Sequence, residues 1–268
     1  MSHFGSTAVN SSVLRGLKAV IPAAALALGL SFATQGHATQ YFLQSDSMNT
    51  SRTATITGPA SYSAYTYVAP IQFNAFIGTN ASGTPFNFLG FCVDIFHHIS
   101  LGTLNLKYDN NYSLTTDSKY LTSTPFSGGN ALSAGQITQV GRLVNYGTQV
   151  FNLAPSSTDK TNRLAGLQGA IWQVVNPGYT VNSTVAVNSY ISAYSGASYA
   201  SSLTGYGPVS SNITFITETG KYGTNAAHQS FAFASPSPEP GTWALLIMGF
   251  GMAGAALRRR KNLVRVIA

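Results

Sequence analysis

The sequence predicts an α+β fold: a mostly antiparallel β sandwich or barrel with a helical insert of two to three helices. An N-terminal signal helix and a single C-terminal transmembrane helix flank it. Three observations lead there. Runs rich in β-branched and aromatic residues, punctuated by Gly, Pro, Asn and Ser, fill the segment 52–107. From Ser133 the apolar period changes from that of a strand to that of a helix. Both ends carry apolar runs next to basic residues, a pattern absent between them.

The N-terminus has the layout of a secretory signal. Arg15 and Lys18 form a positive region and Ala19 to Phe32 an apolar one, broken by Pro22 and Gly29. Gly36-His37-Ala38 then supplies small residues where a signal peptidase inspects the chain, so cleavage is expected after Ala38. The run is short for a transmembrane span. The organisation that follows is a signal peptide over 1–38, an exported domain over 39–234, a Pro-rich spacer over 235–240 and a sorting and anchor segment over 238–262.

Within the domain, Thr53-Ala54-Thr55-Ile56-Thr57, Tyr62 to Val68, Gln72 to Ile77 and Phe86 to Val93 read as strands at hairpin intervals. Ser133 with Gln136 three positions on is a capping box, and Ile137, Val140, Val144 and Phe151 mark one face of the helix it opens. A second helix is expected from about Thr158 to Val175, stopped by Asn176-Pro177-Gly178. A third covers Thr184 to Tyr194 and ends at Gly196. Strands return at Ile213 to Ile216 and at Gln229 to Phe233.

Charge excludes several functions. Only 8% of the residues are charged, and the formal net charge is +7. Most of that excess belongs to the ends: Arg15 and Lys18 on one side, Arg258, Arg259, Arg260, Lys261 and Arg265 against Glu239 on the other. The middle is nearly neutral and offers no basic stripe for phosphates, so nucleic acid is not a partner. Its acidic residues are scattered, without the paired carboxylates that glycan hydrolysis needs, so a secreted glycan hydrolase ranks last among the readings. Phosphate-binding, zinc-protease and nucleophile-elbow motifs are missing from the sequence. Asp94, His97 and His98 lie close together, but adjacent histidines on a strand face opposite ways, so no metal site is expected. The expectation is a protein that is not an enzyme and carries no cofactor. Tyr62, Tyr65, Tyr67, Tyr108, Tyr112, Tyr194, Tyr199 and Tyr206 read as exposed strand residues, with sugar stacking as their other use.

The C-terminus has three parts. Ser235-Pro236-Ser237-Pro238-Glu239-Pro240 is stiff and incompatible with a helix. Gly241 to Leu257 is apolar and uncharged, barely long enough for a bilayer core, with Trp243 at its outer edge. Arg258-Arg259-Arg260-Lys261 closes it and puts the far end in the cytoplasm. Pro238-Glu239-Pro240, the apolar run and the Arg cluster together resemble the PEP-CTERM sorting signal of Gram-negative bacteria. That resemblance implies an inner-membrane precursor anchored through Gly241–Leu257 and recognised by an exosortase. It further implies a surface or extracellular product in an exopolysaccharide or biofilm matrix.

Cys92 is the only cysteine, so no internal disulfide is possible. In Phe88 to Asp94, alternation sends Leu89, Phe91 and Val93 to one side and Cys92 with Asp94 to the other. On the second helix Gln168 falls among Leu164, Leu167, Ile171, Val174 and Val175, inside the apolar face. A thiolate can attack a glutamine carboxamide, expel ammonia and leave a thioester, which is both a crosslink and a stored electrophile. Phe91-Cys92-Val93-Asp94 and Leu167-Gln168-Gly169-Ala170-Ile171-Trp172 resemble the two signatures of thioester domains from bacterial surface adhesins. The resemblance implies a Cys92–Gln168 bond, supported by Asp94 and Trp172, that captures surface amines. The alternative is a buried free cysteine beside a hydrogen-bonded glutamine.

Overall fold

The computed structural model describes residues 39–97, 112–117, 132–218, 228–235, 247–253 and Arg258. The strands are β1 (Gln40–Met48), β2 (Thr53–Thr57), β3 (Ser63–Tyr67), β4 (Ile71–Ile77), β5 (Phe86–Cys92), β6 (Tyr112–Thr115), β7 (Thr180–Asn182), β8 (Ile213–Thr217) and β9 (Phe231–Ala234). The helices are α1 (Ala134–Leu153), α2 (Thr158–Val175), α3 (Val185–Ser195) and the short α4 (Tyr199–Ser202). Strands β1-β4-β5-β9-β8-β6 close into a six-stranded antiparallel barrel. A second, three-stranded antiparallel sheet has the order β3-β2-β7.

The expected α+β class with an antiparallel barrel is what is found. The helical insert lies between β6 and β8 and, among the described residues, holds α1 to α4 with β7 among them, one short helix more than expected. Its starts follow local chemistry. Ser133 and Gln136 cap α1 reciprocally, and the Gln136 carboxamide also donates to the Val174 carbonyl at 3.0 Å, tying α1 to the end of α2. Ser157 caps α2, accepting from the Lys160 amide at 3.0 Å, and Thr184 caps α3. Lys160 in turn donates its ammonium to the last carbonyls of α1, at Phe151 and Ala154. One cation thereby fixes the junction of two helices.

Burial explains why β5 reads as an almost unbroken apolar run. One face, Leu89 and Phe91, packs with Val93 under Val140, Leu143 and Val144 of α1 and Leu164, Leu167 and Ile171 of α2. The other face, with Cys92, joins Phe73, Ile216, Phe231 and Phe233 in the barrel interior. Helix α1 can lie close on the sheet because position 147 is glycine: a Cβ there would stand 2.3 Å from the Phe91 ring. Gly166 does the same between α2 and α3, where a Cβ would stand 2.2 Å from Tyr190. Helix α2 is therefore enclosed on nearly all sides from Leu164 to Trp172.

Several expectations change. Strand β1 was not foreseen; its register slips between Ser45 and Ser47, which breaks the alternation that would have marked it. Tyr112 and Tyr194, expected at the surface, are 0% and 2% exposed and belong to the core. Tyr108 and His98 lie outside the described residues, as do the signal segment 1–38 and most of the expected Gly241–Leu257 span. Of that span, 247–253 is helical, with Ile247, Met248, Phe250 and Met252 exposed. Among the described residues no helix is long and apolar enough to cross a membrane.

Candidate functional site

The site forms where β5 runs past its neighbour. Strand β4 starts at Ile71, opposite Gly90, so Cys92 two residues on has no partner in β4. Its main-chain groups would be left buried and unpaired on that side. Gln168 of α2 takes the place of the missing strand. Its Oε1 accepts from the Cys92 amide at 3.0 Å, and its Nε2 donates to the Cys92 carbonyl at 2.8 Å. Gln168 is 0% exposed and Cys92 5%, so the contact is dry.

The two residues singled out in the sequence are thus brought together across 76 positions of chain. The carboxamide is held beside the cysteine by its planar edge. The Cys92 N–H that holds Oε1 also polarises the carbonyl, drawing electron density from the carbon a nucleophile would attack. The thiol itself donates to the Asp94 carbonyl at 2.9 Å. Burial pushes the thiol far above its ordinary pKa, and Asp94 adds to that effect. Trp172, Gln229 and the Asp94 main chain pull in the opposite direction without offsetting it. The Trp172 indole Nε1–H is buried and has no acceptor of ordinary hydrogen-bond geometry. Trp172 acts on the Cys92 thiol in the direction that favours the thiolate.

Asp94 acts mainly through its main chain and through the turn it makes. Its Oδ1 accepts from the amides of Phe96 and His97 at 2.9 and 3.1 Å, and its Oδ2 pairs with His97 Nδ1. This closes the chain into a tight bend directly after β5. Asp94 and Trp172, expected to support a Cys92–Gln168 bond, both lie beside Cys92. Four contributors were not foreseen. Gln229 donates to the Asp94 carbonyl at 3.0 Å, Tyr62 donates to the Ile95 carbonyl at 2.8 Å, and Tyr62, Phe96 and Tyr179 pack edge to face over the bend. Burial, with Tyr179, Asp94 and Cys92 adding to it, raises the Tyr62 phenol. Nothing local in the sequence marks Gln229 or Tyr62, because both are ordinary residues at strand margins until the barrel closes. Among the described residues no group of three or more potential ligands could hold a metal ion. The sorting residues Pro238, Glu239, Pro240, Arg259 and Arg260 lie outside the described residues; Arg258 is helical and exposed.

Comparison with known families finds the PEP-CTERM protein-sorting motif at residues 238–261. Comparison with curated proteins and with solved structures gives no match. The chain therefore carries the signal by which an exosortase recognises and sorts exported, membrane-processed proteins.

Proposed function

We propose that the exported domain is a covalent adhesin: after exosortase-dependent delivery to the cell surface or extracellular matrix, it captures amines through a Cys92–Gln168 thioester. The observation that carries this reading is the paired hydrogen bonding of the Gln168 carboxamide to the Cys92 main chain in a dry pocket. The step balances simply. The Cys92 sulfur adds to Gln168 Cδ, the C–N bond breaks, and ammonia leaves with the thiol proton. A primary amine later attacks the same carbon, forms an amide and returns the thiol. The Cys92 N–H is placed to hold the oxygen of the tetrahedral intermediate, and Trp172 Nε1–H offers a further donor to the sulfur. Enclosure protects the bond from water. On this reading the protein reacts once and does not turn over.

Methylamine tests it. Treated protein should carry N-methylglutamine at Gln168, a gain of about 14 Da on the peptide that contains it, and Cys92→Ala should carry none. An unlabelled Gln168 peptide in wild-type protein treated under native conditions would sink the reading.

A second reading is a purely structural matrix protein in exopolysaccharide or biofilm. It is favoured by one observation: Gln168 already has a structural task, supplying the hydrogen bonds that β4 does not. On this reading the thiol stays reduced, and binding to the matrix is non-covalent.

A further inference from the structure

We propose that the outer face of the β3-β2-β7 sheet is a binding platform for an uncharged polysaccharide. The inference deepens the matrix reading given above and does not depend on the thioester. It starts from the pairing register. Thr53 stands opposite Tyr67, Thr55 opposite Tyr65 and Asn182, so these side chains share one face. The alternate residues Ala54, Ile56 and Val181 are buried and anchor the sheet to the core. The outer face is left to hydroxyls, amides and two aromatic rings.

Those rings are exposed to an unusual degree. Tyr65 is 75% exposed and Tyr67 46%, whereas Tyr112, Tyr146 and Tyr194 are fully enclosed. Nothing in the fold requires rings at 65 and 67. Nor do they simply project into water. The Tyr65 hydroxyl donates to Thr53 Oγ1 at 2.9 Å, so the ring is drawn across the diagonal of the β2-β3 pair and held there. A held ring loses little rotamer freedom on binding, which makes it a platform and not a tether.

The chemistry of the face selects the ligand. Sugar C–H bonds carry partial positive charge and settle on the electron-rich face of an aromatic ring. Sugar hydroxyls need partners that both donate and accept, and threonine hydroxyls and the Asn182 amide do both. The rings of Tyr65 and Tyr67 are two residues apart on one strand, about 7 Å, and the Thr row runs beside them. No charged residue lies on these three strands, so a phosphate or uronate chain would find no cation to match it. A protein partner would want a continuous apolar centre, and hydroxyls occupy that position here.

Co-sedimentation tests the platform, using the full chain purified in mild detergent. The probes are cellulose, chitin, cross-linked dextran, an insoluble β-1,3-glucan and a galactomannan gel, with alginate gel as the anionic control. Wild-type protein should bind at least one uncharged probe and bind alginate less. Tyr65→Ala/Tyr67→Ala should weaken that binding at least tenfold. Tyr65→Phe, which keeps the ring but frees it from Thr53, should fall between. Cys92→Ala should bind as wild type does, which separates this outcome from failure of the thioester. The proposal is overturned by failure to bind any uncharged probe, by preference for alginate, or by equal binding of the double variant. If the producing cells' own matrix holds wild type and double variant equally, the matrix reading survives and the platform does not. If that matrix holds neither, both fail.

Discussion

The β5–α2 contact and the outer face of the β3-β2-β7 sheet depart from ordinary burial in opposite directions. At the first, a carboxamide is fully enclosed among apolar side chains; at the second, two large aromatic rings stand in solvent. Both are exceptions of the informative kind, a buried polar group and an exposed apolar one. They differ in how much the fold itself accounts for. Gln168 replaces a strand partner, so packing alone gives a reason for its presence. Tyr65 and Tyr67 fill no space in the core, and the one side-chain bond between them and the fold is from the Tyr65 hydroxyl to Thr53 on the same exposed face. An enclosed group with a structural task needs a chemical test before a reaction is assigned to it. An exposed group with no structural task points outward, to a ligand.

Substitution should break this contrast where it is sharpest. Relative to protein with a free carboxamide, Gln168→Ala leaves both the amide and the carbonyl of Cys92 buried without partners, at about 1–3 kcal/mol for each. A loss of roughly 2–6 kcal/mol in unfolding free energy is expected by denaturant titration. A change below about 0.5 kcal/mol, the range of ordinary surface positions, would show that Gln168 does not close the edge of β5.

The next effect is a pH dependence. A free Cys92 thiol is held neutral by burial in the folded protein and can ionise in the unfolded chain. Its folded pKa is raised, so its contribution to stability is intact below the unfolded value, near 8.5. That contribution is then lost as pH rises from there toward the folded value. Protein opened with methylamine should therefore lose thermal stability progressively above about pH 8.5. The untreated thioester form should show no such Cys92-dependent slope. Identical alkaline profiles for the two forms would mean that the thiol state was the same in both.

The smallest effect is expected at the exposed face. Tyr65→Ala/Tyr67→Ala should change unfolding free energy by less than about 0.5 kcal/mol, while polysaccharide binding falls. A large loss of stability would reassign the rings to the fold.

Much of this was legible in the sequence, and the reasons differ by element. Helix boundaries are local events: Ser133 with Gln136, Thr184 and Gly196 declare them within a few residues. Cys92 and Gln168 stood out because each is a polar handle in an apolar pattern, and the alternation of β5 put Cys92 on the correct side. The hydrogen bonds that join them, and the residues around them, were not legible, because they depend on where β4 starts and on barrel closure that brings Gln229 to Asp94. The same holds for tyrosines. Position in sequence could not separate Tyr112, sealed in the barrel, from Tyr65 at the edge of the small sheet. Thr53 to Thr57 read as a strand at once, yet β7, which completes the face of Thr53, Thr55 and Thr57, comes in the chain only after α1 and α2.

The central claim is the covalent state of Cys92 and Gln168, and intact mass reads it most directly. Exported protein isolated from producing cells without exposure to amines should be lighter than its sequence by about 17 Da, one ammonia. Fragmentation should then place that deficit on the linked peptides of Cys92 and Gln168. Full mass, together with one titratable thiol after unfolding, would contradict the account and leave Gln168 as the closing piece of a strand edge.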